Sequence, residues 1–401
     1  MELDAGDRLK VGQVVEVEIG AIAHGGHFVA RHNGQVIFVR HAITGENCKV
    51  KITAVNSKIA HADVIEVLSA SVDRVTPPCK YAGVCGGCDF QHISISAQLK
   101  FKRDIILEQF LRIGKIDLIA DGFDLQVQQL TPENGLHWRT RMDFAVSPNG
   151  KIGFYGARSN QVVEIDDCAI ADERMKVSEL VERSWKSDAR VEVALSSTSE
   201  ISVMRSGRSI SGPTQLTEQV GGNSFRISPV AFWQSHRNAP TTLVKAAMAQ
   251  LGVKAGDWVC DLYSGVGLFG AEILQQVGKQ GVVNLIESDK TAVSDARKIF
   301  AKHQNVNIYA GLVDQQLSQV KRADLILLDP PRTGAGDSVI KQMVKLRPRK
   351  IVYVACDPAA LARDAKYLQE SGYKLDHIEA FDLFPMTQHM ECVAGFSPVK
   401  Q

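Results

Sequence analysis

The sequence lacks several features that would fix its class at once. Charge of one sign is not in excess, since 46 Lys and Arg stand against 45 Asp and Glu, for a formal net charge of +1. Proline is scarce, with 13 residues in 401, while 45% of the residues are hydrophobic. These values exclude a disordered or collagen-like chain. The charge balance neither indicates nor excludes a nucleic-acid partner.

Long apolar runs are absent as well. No run approaches the roughly 20 apolar residues that a membrane span requires. The first residues, Met1 to Asp4, lack the basic and apolar regions of a signal peptide. We therefore expect a soluble cytoplasmic protein with no membrane partner, in which eight cysteines indicate thiol or metal chemistry before disulfides. No pattern in the sequence predicts the oligomeric state.

The length predicts two or three domains, and three segments differ in pattern. Residues 1–72 contain five short alternating strands and no helical period, which predicts a small β-barrel of the oligonucleotide-binding type. Residues 73–225 mix strands with predicted helices over 96–111 and 171–185, as in an α+β domain. Residues 226–401 alternate apolar strands with helices, which predicts a doubly wound, Rossmann-like α/β domain.

A glycine-containing loop follows the first predicted strand of the third segment. Gly265 and Gly267 precede a helix that is predicted to begin near Leu268, and such a loop lets the backbone approach a ligand closely. The G-x-G-x-x-G dinucleotide fingerprint is not in register. Glu287 ends the next strand, where a carboxylate can accept both hydroxyls of a ribose. With Asp329 after a later strand, this order of acids fits S-adenosylmethionine better than NAD.

Two residues near the C-terminus are candidates for catalysis. Cys356 follows the predicted strand 351–355 and precedes Asp357-Pro358, a helix-start signal. A helix N-terminus favours the thiolate, which is the nucleophilic form of cysteine. Glu391 precedes another apolar strand, where its carboxylate is a candidate general base. Each residue alone also has an ordinary interpretation, as an inert buried cysteine or as a surface acid.

Four motifs of the third segment belong together: Asp261-Leu262-Tyr263-Ser264-Gly265-Val266-Gly267, Leu328-Asp329-Pro330-Pro331-Arg332, Tyr353-Val354-Ala355-Cys356-Asp357-Pro358 and Phe384-Pro385-Met386-Thr387-Gln388-His389-Met390-Glu391. Together they resemble the RNA (uracil-5)-methyltransferase family. The N-terminal barrel resembles the TRAM domain of many members, so the resemblance covers nearly the whole chain. The family usually has Ser-Cys-Asn-Pro-x-Thr around its nucleophile, whereas this chain has Ala355, Asp357 and Ala360 at the Ser, Asn and Thr positions.

The resemblance implies S-adenosylmethionine-dependent methylation of uracil C5 in RNA. It implies that Cys356 adds to C6 of the base and that Glu391 later removes the C5 proton. Ribosomal RNA of the large subunit (23S rRNA) is the expected substrate, because members with both the barrel and a cysteine cluster are typical of that branch. Transfer RNA is the alternative substrate, and a catalytically inactive RNA-binding or assembly protein is the alternative function. The glycine loop and the resemblance together imply these cofactor-binding residues: Gln234, Tyr263, Gly265, Glu287 and Asp329.

Four cysteines of the second segment predict a metal site. Cys79, Cys85 and Cys88 have the spacing C-x5-C-x2-C, and Cys168 follows much later. Four thiolates suit zinc or an iron–sulfur cluster, and the spacing does not separate the two cleanly. Three clustered cysteines with one distant cysteine are more usual for a 4Fe–4S cluster, and the run from Cys85 to His92 resembles the cluster-bearing members of the family. We expect a 4Fe–4S cluster, with zinc as the alternative. The cysteines expected in the core are Cys48, Cys260 and Cys392.

Overall fold

The computed structural model describes residues 8–56, 58–130 and 134–399. The expectation about a signal peptide rests on Met1 to Asp4, which lie outside these ranges. Within them the strands form four sheets, of six, six, two and eight strands. No helix in the same ranges is long and apolar enough to cross a membrane.

The N-terminal sheet has six strands: β1 (Val14–Glu18), β2 (Ile22–Ala23), β3 (His27–His32), β4 (Gln35–Arg40), β5 (Asn47–Val55) and β6 (Ile59–Ser69). Their order is β1-β5-β6-β4-β3-β2. Alternate residues point inward, so that Val15 and Val17 are buried while their neighbours are exposed. The sequence predicts five strands here. The additional one, β2, has two residues and is too short to show a period.

The middle of the chain begins with helix α1 (Ile95–Gln109), which continues into a π-helical turn over Phe110–Gly114. The strands that follow are β7 (Val127–Gln129), β8 (Arg141–Val146), β9 (Ile152–Tyr155), β10 (Val162–Glu164), β11 (Arg190–Leu195), β12 (Ile201–Arg205) and β13 (Arg208–Ser211). All except β7 form the second sheet, in the order β10-β9-β8-β11-β12-β13.

The helix predicted over 171–185 is wrong over most of its length. The structure has a 3-10 turn at Glu173–Met175 and a short helix α2 (Val177–Val181). Between them Lys176 has φ of 49°, a left-handed conformation that interrupts a right-handed helix. The apolar spacing therefore describes residues packed on the second sheet rather than one continuous helix.

A two-stranded hairpin, β14 (Leu216–Val220) and β15 (Asn223–Ile227), follows the second sheet. The predicted boundary between residues 225 and 226 falls inside β15. In addition, β7 of the predicted second domain pairs with a strand of the C-terminal sheet. The domain boundaries 1–72, 73–225 and 226–401 stay a prediction.

The C-terminal part alternates helices and strands: α3 (Ala239–Leu251), β16 (Trp258–Leu262), α4 (Leu268–Val277), β17 (Val282–Glu287), α5 (Lys290–Ile299), β18 (Val306–Ala310), α6 (Val313–Gln316), β19 (Leu325–Leu328), α7 (Gly336–Lys345), β20 (Lys350–Ala355), α8 (Pro358–Glu370), β21 (Tyr373–Asp382) and β22 (Glu391–Pro398). The sheet order is β18-β17-β16-β19-β20-β22-β21-β7. The first five strands are mutually parallel, and helices α3 to α8 connect or flank them. This confirms the predicted Rossmann-like α/β fold.

The core joins the N-terminal sheet to the C-terminal one through α1. Phe28 of β3 packs edge-on against Phe101 of α1, with ring centroids 5.2 Å apart. Both rings belong to one buried apolar cluster that continues to Leu361 of α8 and Tyr353 of β20. Burial of such large side chains stabilises each by about 1.5–3 kcal/mol. The N-terminal sheet therefore shares one core with β20, the strand that precedes Cys356.

A buried ion pair fixes α1 to the end of β21. Lys102 is fully buried, and its Nζ donates to Asp382 Oδ1 at 2.6 Å and to the Phe384 carbonyl at 3.1 Å. Burial lowers the pKa of Lys102, while the Asp382 charge opposes that shift. Phe384 lies near the start of the loop that connects β21 to Glu391 at the beginning of β22. The Lys102 contacts therefore fix the position of this loop.

Replacing Lys102 by Met should destabilise the fold by about 3–5 kcal/mol, because the Asp382 carboxylate would be left buried without its cation. Urea unfolding followed by circular dichroism measures this change. The matched control is Lys100→Met, an exposed position on the same helix, for which a change within about 0.5 kcal/mol is expected. Equal midpoints for the two variants would contradict the role of the pair.

Candidate active site

Three titratable side chains meet at the carboxyl edge of the C-terminal sheet. Asp329 follows β19, and Cys356 follows β20. Glu391 begins β22, which runs antiparallel to β20 with Ala355 opposite Cys392. The register places Glu391 beside Cys356, although 35 positions separate them in the chain. This edge is where ligands bind in open α/β sheets.

Burial dominates the electrostatics of this centre. It raises the pKa of Cys356 to about 12, with the charges of Glu391 and Asp329 acting in the same direction and Arg332 opposing them. It also raises the pKa of Asp329 to about 7. The pKa of Glu391 lies well above its usual value because of burial and of the neighbouring Asp329. In the free protein, the raised pKa values therefore favour the protonated forms of Cys356, Asp329 and Glu391.

The helix N-terminus does not lower the pKa of Cys356 in the free protein. The predicted placement is found, since Asp357 caps α8 and Pro358 occupies its first turn. The helix N-terminus contributes only about half a unit charge. Loss of hydration and the nearby carboxylates outweigh that contribution, because both disfavour the anion.

A residue of the N-terminal sheet reaches the cap of α8. Asp357 Oδ1 accepts from the Ala360 N–H at 2.8 Å, while its Oδ2 lies 3.0 Å from His24 Nε2, in the β2–β3 turn. The hydrogen bond to Asp357 raises the pKa of His24. His24 carries no signal in the sequence, because no local pattern indicates a contact between residues 333 positions apart. Asp357, which stands where the family usually has Asn, thus has His24 as its hydrogen-bond partner.

The loop between β21 and β22 is held from several sides. The Met386 carbonyl accepts from the Phe90 N–H at 2.9 Å, and the Met386 N–H donates to Gln98 Oε1 at 2.9 Å. Gly26 approaches the same loop so closely that a Cβ there would lie 2.7 Å from Gln388 Cβ. Only glycine fits at that position. These contacts set the position from which Glu391 enters β22.

A pocket beside Asp329 collects four of the five predicted cofactor residues: Gln234, Tyr263, Gly265 and Asp329. Gln234 Nε2 donates to Asp329 Oδ2 at 3.4 Å. The buried Ser264 hydroxyl lines the same pocket and has no hydrogen-bond partner among the described residues. An unpartnered buried polar atom in a pocket is suited to a polar ligand.

Glu287 is the fifth predicted cofactor residue, and it supports the glycine loop. Its Oε2 accepts from the Gly265 N–H at 2.8 Å, and its Oε1 accepts from the Ser288 and Asp289 N–H groups, both at 2.6 Å. It therefore borders the loop that lines the pocket. Asp261 has a similar supporting role, since it accepts from the Gly270 N–H of α4 at 2.9 Å.

The four cysteines of the predicted metal site line one pocket: Cys79, Cys85, Cys88 and Cys168. Burial raises the pKa of Cys88 to about 12 and that of Cys168 to about 11. Among the described residues, no group of three or more His, Cys, Asp or Glu is placed to hold a metal ion. The remaining Cys48, Cys260 and Cys392 are buried, as expected.

Comparison with known proteins identifies the family. Residues 8–65 match the model of the TRAM domain, and residues 223–396 match that of tRNA (uracil-5-)-methyltransferase. A Streptomyces avermitilis protein described as an uncharacterized RNA methyltransferase is 40% identical, covering 97% of this chain and 99% of its own. The chain belongs to the RNA (uracil-5)-methyltransferase family. It is an S-adenosylmethionine-dependent enzyme that acts on RNA.

Two further relatives agree with this identification. A Corynebacterium glutamicum protein, also described as an uncharacterized RNA methyltransferase, is 30% identical and covers 97% of this chain and 98% of its own. The structure of the Pyrococcus abyssi tRNA (uracil-54, C5)-methyltransferase with S-adenosyl-L-homocysteine superimposes with a TM-score of 0.70. It is 25% identical and covers 94% of the methyltransferase described here and 99% of its own chain. The predicted family and the predicted TRAM domain are confirmed.

Cys356 should react slowly with iodoacetamide at neutral pH, and the rate should rise with pH through the alkaline range, since only the thiolate reacts. Arg332→Ala should slow the reaction at a given pH by roughly threefold, because it removes the cation that favours the thiolate. Mass spectrometry of the Cys356 peptide measures the rate. The control is Arg208→Ala, an exposed arginine of β13, which should leave the rate unchanged. Rapid labelling that does not vary with pH would contradict the protonated thiol.

Proposed function

We propose that this enzyme methylates C5 of uracil through a covalent bond between Cys356 Sγ and C6 of the base. The observation that carries the proposal is the position of Cys356 beside Glu391 at the carboxyl edge of the sheet. Uracil C5 is too poor a nucleophile to take a methyl group directly. A nucleophile that adds to C6 converts C5 into a reactive carbon, which divides one difficult step into easier ones.

The proposed steps balance in bonds and protons. The Cys356 thiol first loses its proton to water. The resulting thiolate forms the S–C6 bond, and the electron pair of the C5–C6 double bond moves to C5, which becomes nucleophilic. S-adenosylmethionine, when bound, supplies the methyl group that C5 takes up. Glu391 then removes the C5 proton, the S–C6 bond breaks and the double bond is restored. The base must leave its stack to reach Cys356, so we expect a flipped or unpaired uridine.

The raised pKa of Glu391 suits a general base, because such a carboxylate binds the C5 proton more strongly than an exposed one does. It must be ionised once the methyl group is on C5. Before methyl transfer, the positive charge of a bound sulfonium would favour the ionised form of Glu391, and Arg332 favours the thiolate of Cys356. Cofactor binding would thus prepare the centre for both of its proton transfers.

We propose that the cofactor occupies the pocket beside Asp329. Gln234 would contact its methionine part and Tyr263 its adenosine side. Asp329 would contact the adenine region or the target base. Gly265 lets the backbone approach, and Glu287 has oxygens near the same loop for the ribose hydroxyls. The unpartnered Ser264 hydroxyl supports this assignment, and so does the raised pKa of Asp329, which a cationic ligand would lower.

The cysteine pocket fits a 4Fe–4S cluster, and we propose that Cys79, Cys85, Cys88 and Cys168 hold one. In such a cluster each iron takes one thiolate, so the four sulfurs stand farther apart than four ligands of a single ion. The support for this proposal is that all four thiols line one pocket. The cluster would hold the segment that binds the Met386 loop, and it takes no part in the chemical steps.

We propose large-subunit ribosomal RNA as the substrate and the cytoplasm as the location. Transfer RNA is the second candidate. The likeness to the Pyrococcus abyssi enzyme, which is named for uracil 54 of tRNA, favours this candidate.

Wild-type enzyme mixed with S-adenosylmethionine and RNA from cells grown in 5-fluorouracil should form an adduct that survives denaturing electrophoresis, because fluorine at C5 cannot leave as a proton. Cys356→Ala should form none, whereas the control Cys48→Ala, a buried cysteine of β5, should form it normally. Glu391→Gln should accumulate the adduct on ordinary RNA. Sequencing the attached RNA identifies the substrate. Methyl transfer by Cys356→Ala would contradict the mechanism, and failure of wild type on every RNA would favour an inactive RNA-binding protein.

Anaerobically purified enzyme should contain about four iron atoms and four sulfides per chain. Cys88→Ser should lose most of the iron, while Cys260→Ser, outside the pocket, should keep it. Metal and sulfide analysis measures both. Zinc in place of iron, with less than one iron per chain, would contradict the cluster.

A further inference from the structure

An arginine without a carboxylate partner among the described residues lies between the second sheet and the N-terminal sheet. Arg158 is exposed, and its Nη2 donates to His27 Nε2 at 2.8 Å and lies 3.3 Å from His61 Nδ1. No ion pair joins it to a carboxylate within 8–56, 58–130 or 134–399. Burial lowers the pKa of His27 to about 4, with Arg158 acting in the same direction. The imidazole is therefore neutral at pH 7, and the guanidinium charge is not cancelled.

Aromatic rings surround this cation. Phe38 stacks on His61 with centroids 5.7 Å apart and an interplanar angle of 29°, and His27 lies edge-on to Phe38 at 6.2 Å. Phe38, His27 and His61 are each partly exposed. A cation beside partly exposed ring faces is the combination that holds a phosphate and a stacked base of single-stranded RNA.

The cluster of Arg158, His27, His61 and Phe38, here called the Arg158 platform, is connected to the active site through the β2–β3 turn. His27 follows the turn whose His24 contacts Asp357, directly after Cys356. Gly26 of the same turn contacts the loop before Glu391. A strand that delivers a uridine to Cys356 can therefore continue over the platform.

The cysteine pocket supports Arg158 from the other side. Cys85 forms an isolated β-bridge with Gly156, and the Gly86 N–H donates to the Tyr155 carbonyl at 3.0 Å. Arg158, two residues after Gly156, has φ of 53°, which turns the chain toward the N-terminal sheet. The segment that contains the predicted metal ligands thereby sets the position of the guanidinium.

We propose that the Arg158 platform binds the single-stranded RNA next to the target uridine, with one phosphate on Arg158 and one base stacked on Phe38 and His61. This inference rests on the proposed RNA substrate and assigns part of its binding to a joint surface of the barrel and the second sheet. The platform contacts neither the methyl donor nor the reacting carbon, so its effect should fall on KM rather than kcat.

The test measures binding of a short fluorescein-labelled oligouridylate and methylation of unmodified total RNA over a series of salt concentrations. Arg158→Ala should weaken oligonucleotide binding by roughly tenfold and lower the slope of log Kd against log salt by about 0.7, the value for one phosphate on a single strand. Phe38→Leu should weaken binding and leave that slope unchanged, because it removes stacking but no charge. Arg208→Ala on the edge strand β13 is the matched control and should change neither quantity.

Unchanged affinity and salt slope in Arg158→Ala, with wild type methylating RNA, would overturn the platform and leave the proposed function intact. Equal losses in Arg158→Ala and Arg208→Ala would overturn it too, because they would reflect overall charge. A wild-type enzyme that neither binds nor methylates any RNA would overturn both proposals. Equal thermal midpoints of the variants and wild type show that the comparison concerns folded protein.

Discussion

The antiparallel pairing of β22 with β20 is the constraint on which the rest of the site depends. It places the first residue of β22, Glu391, at the same sheet edge as Cys356, which follows the last residue of β20. A parallel strand at this position would present its opposite end to this edge. The chain instead reverses direction in the loop after β21. The position of Glu391 therefore depends on the conformation of that loop. A carboxylate and a thiol can thus share a buried site although neither lies near the other in sequence.

The accuracy of that loop comes from elements outside the Rossmann-like sheet. Lys102 binds Asp382 and the Phe384 carbonyl, and Gln98 and Phe90 bind Met386. The N-terminal barrel contributes the close approach of Gly26. Parts of the chain that would bind RNA are therefore in direct contact with the segment that carries Glu391. Under the proposed mechanism, RNA binding and the position of Glu391, the proposed general base, are coupled through contacts already present in the free enzyme.

Burial explains why the acidic side chains at this sheet edge resist ionisation in the free enzyme. Cys356, Asp329 and Glu391 all have raised pKa values for the same reason, which is loss of hydration at a crowded edge. Each would ionise more readily beside a cation. Arg332 supplies one such charge, and a sulfonium ligand would supply another. Under the proposed mechanism, cofactor binding would therefore favour the ionised forms of these groups.

Local patterns in the sequence predicted the parts of this structure that depend on neighbouring residues. The strands around Asp261, Glu287, Asp329 and Cys356 carry apolar runs that end within one residue of where the structure ends them, and Asp357-Pro358 marked the start of α8. The helix expected over 171–185 was interrupted at Lys176 by a backbone conformation that apolar spacing does not encode. The His24–Asp357 and Lys102–Asp382 pairs join residues hundreds of positions apart. Likewise, the pKa of Cys356 depends on three-dimensional burial, which the helix-start signal could not report.

The central claim is that the methyl group replaces the proton on C5 of uracil. Its most direct test uses substrate RNA carrying tritium at C5 of uridine, with tritium release to water and methyl incorporation counted in the same reaction. The account predicts one tritium released for each methyl group transferred by the wild-type enzyme. Methyl transfer without tritium release would place the methyl group elsewhere on the nucleotide and would contradict the account.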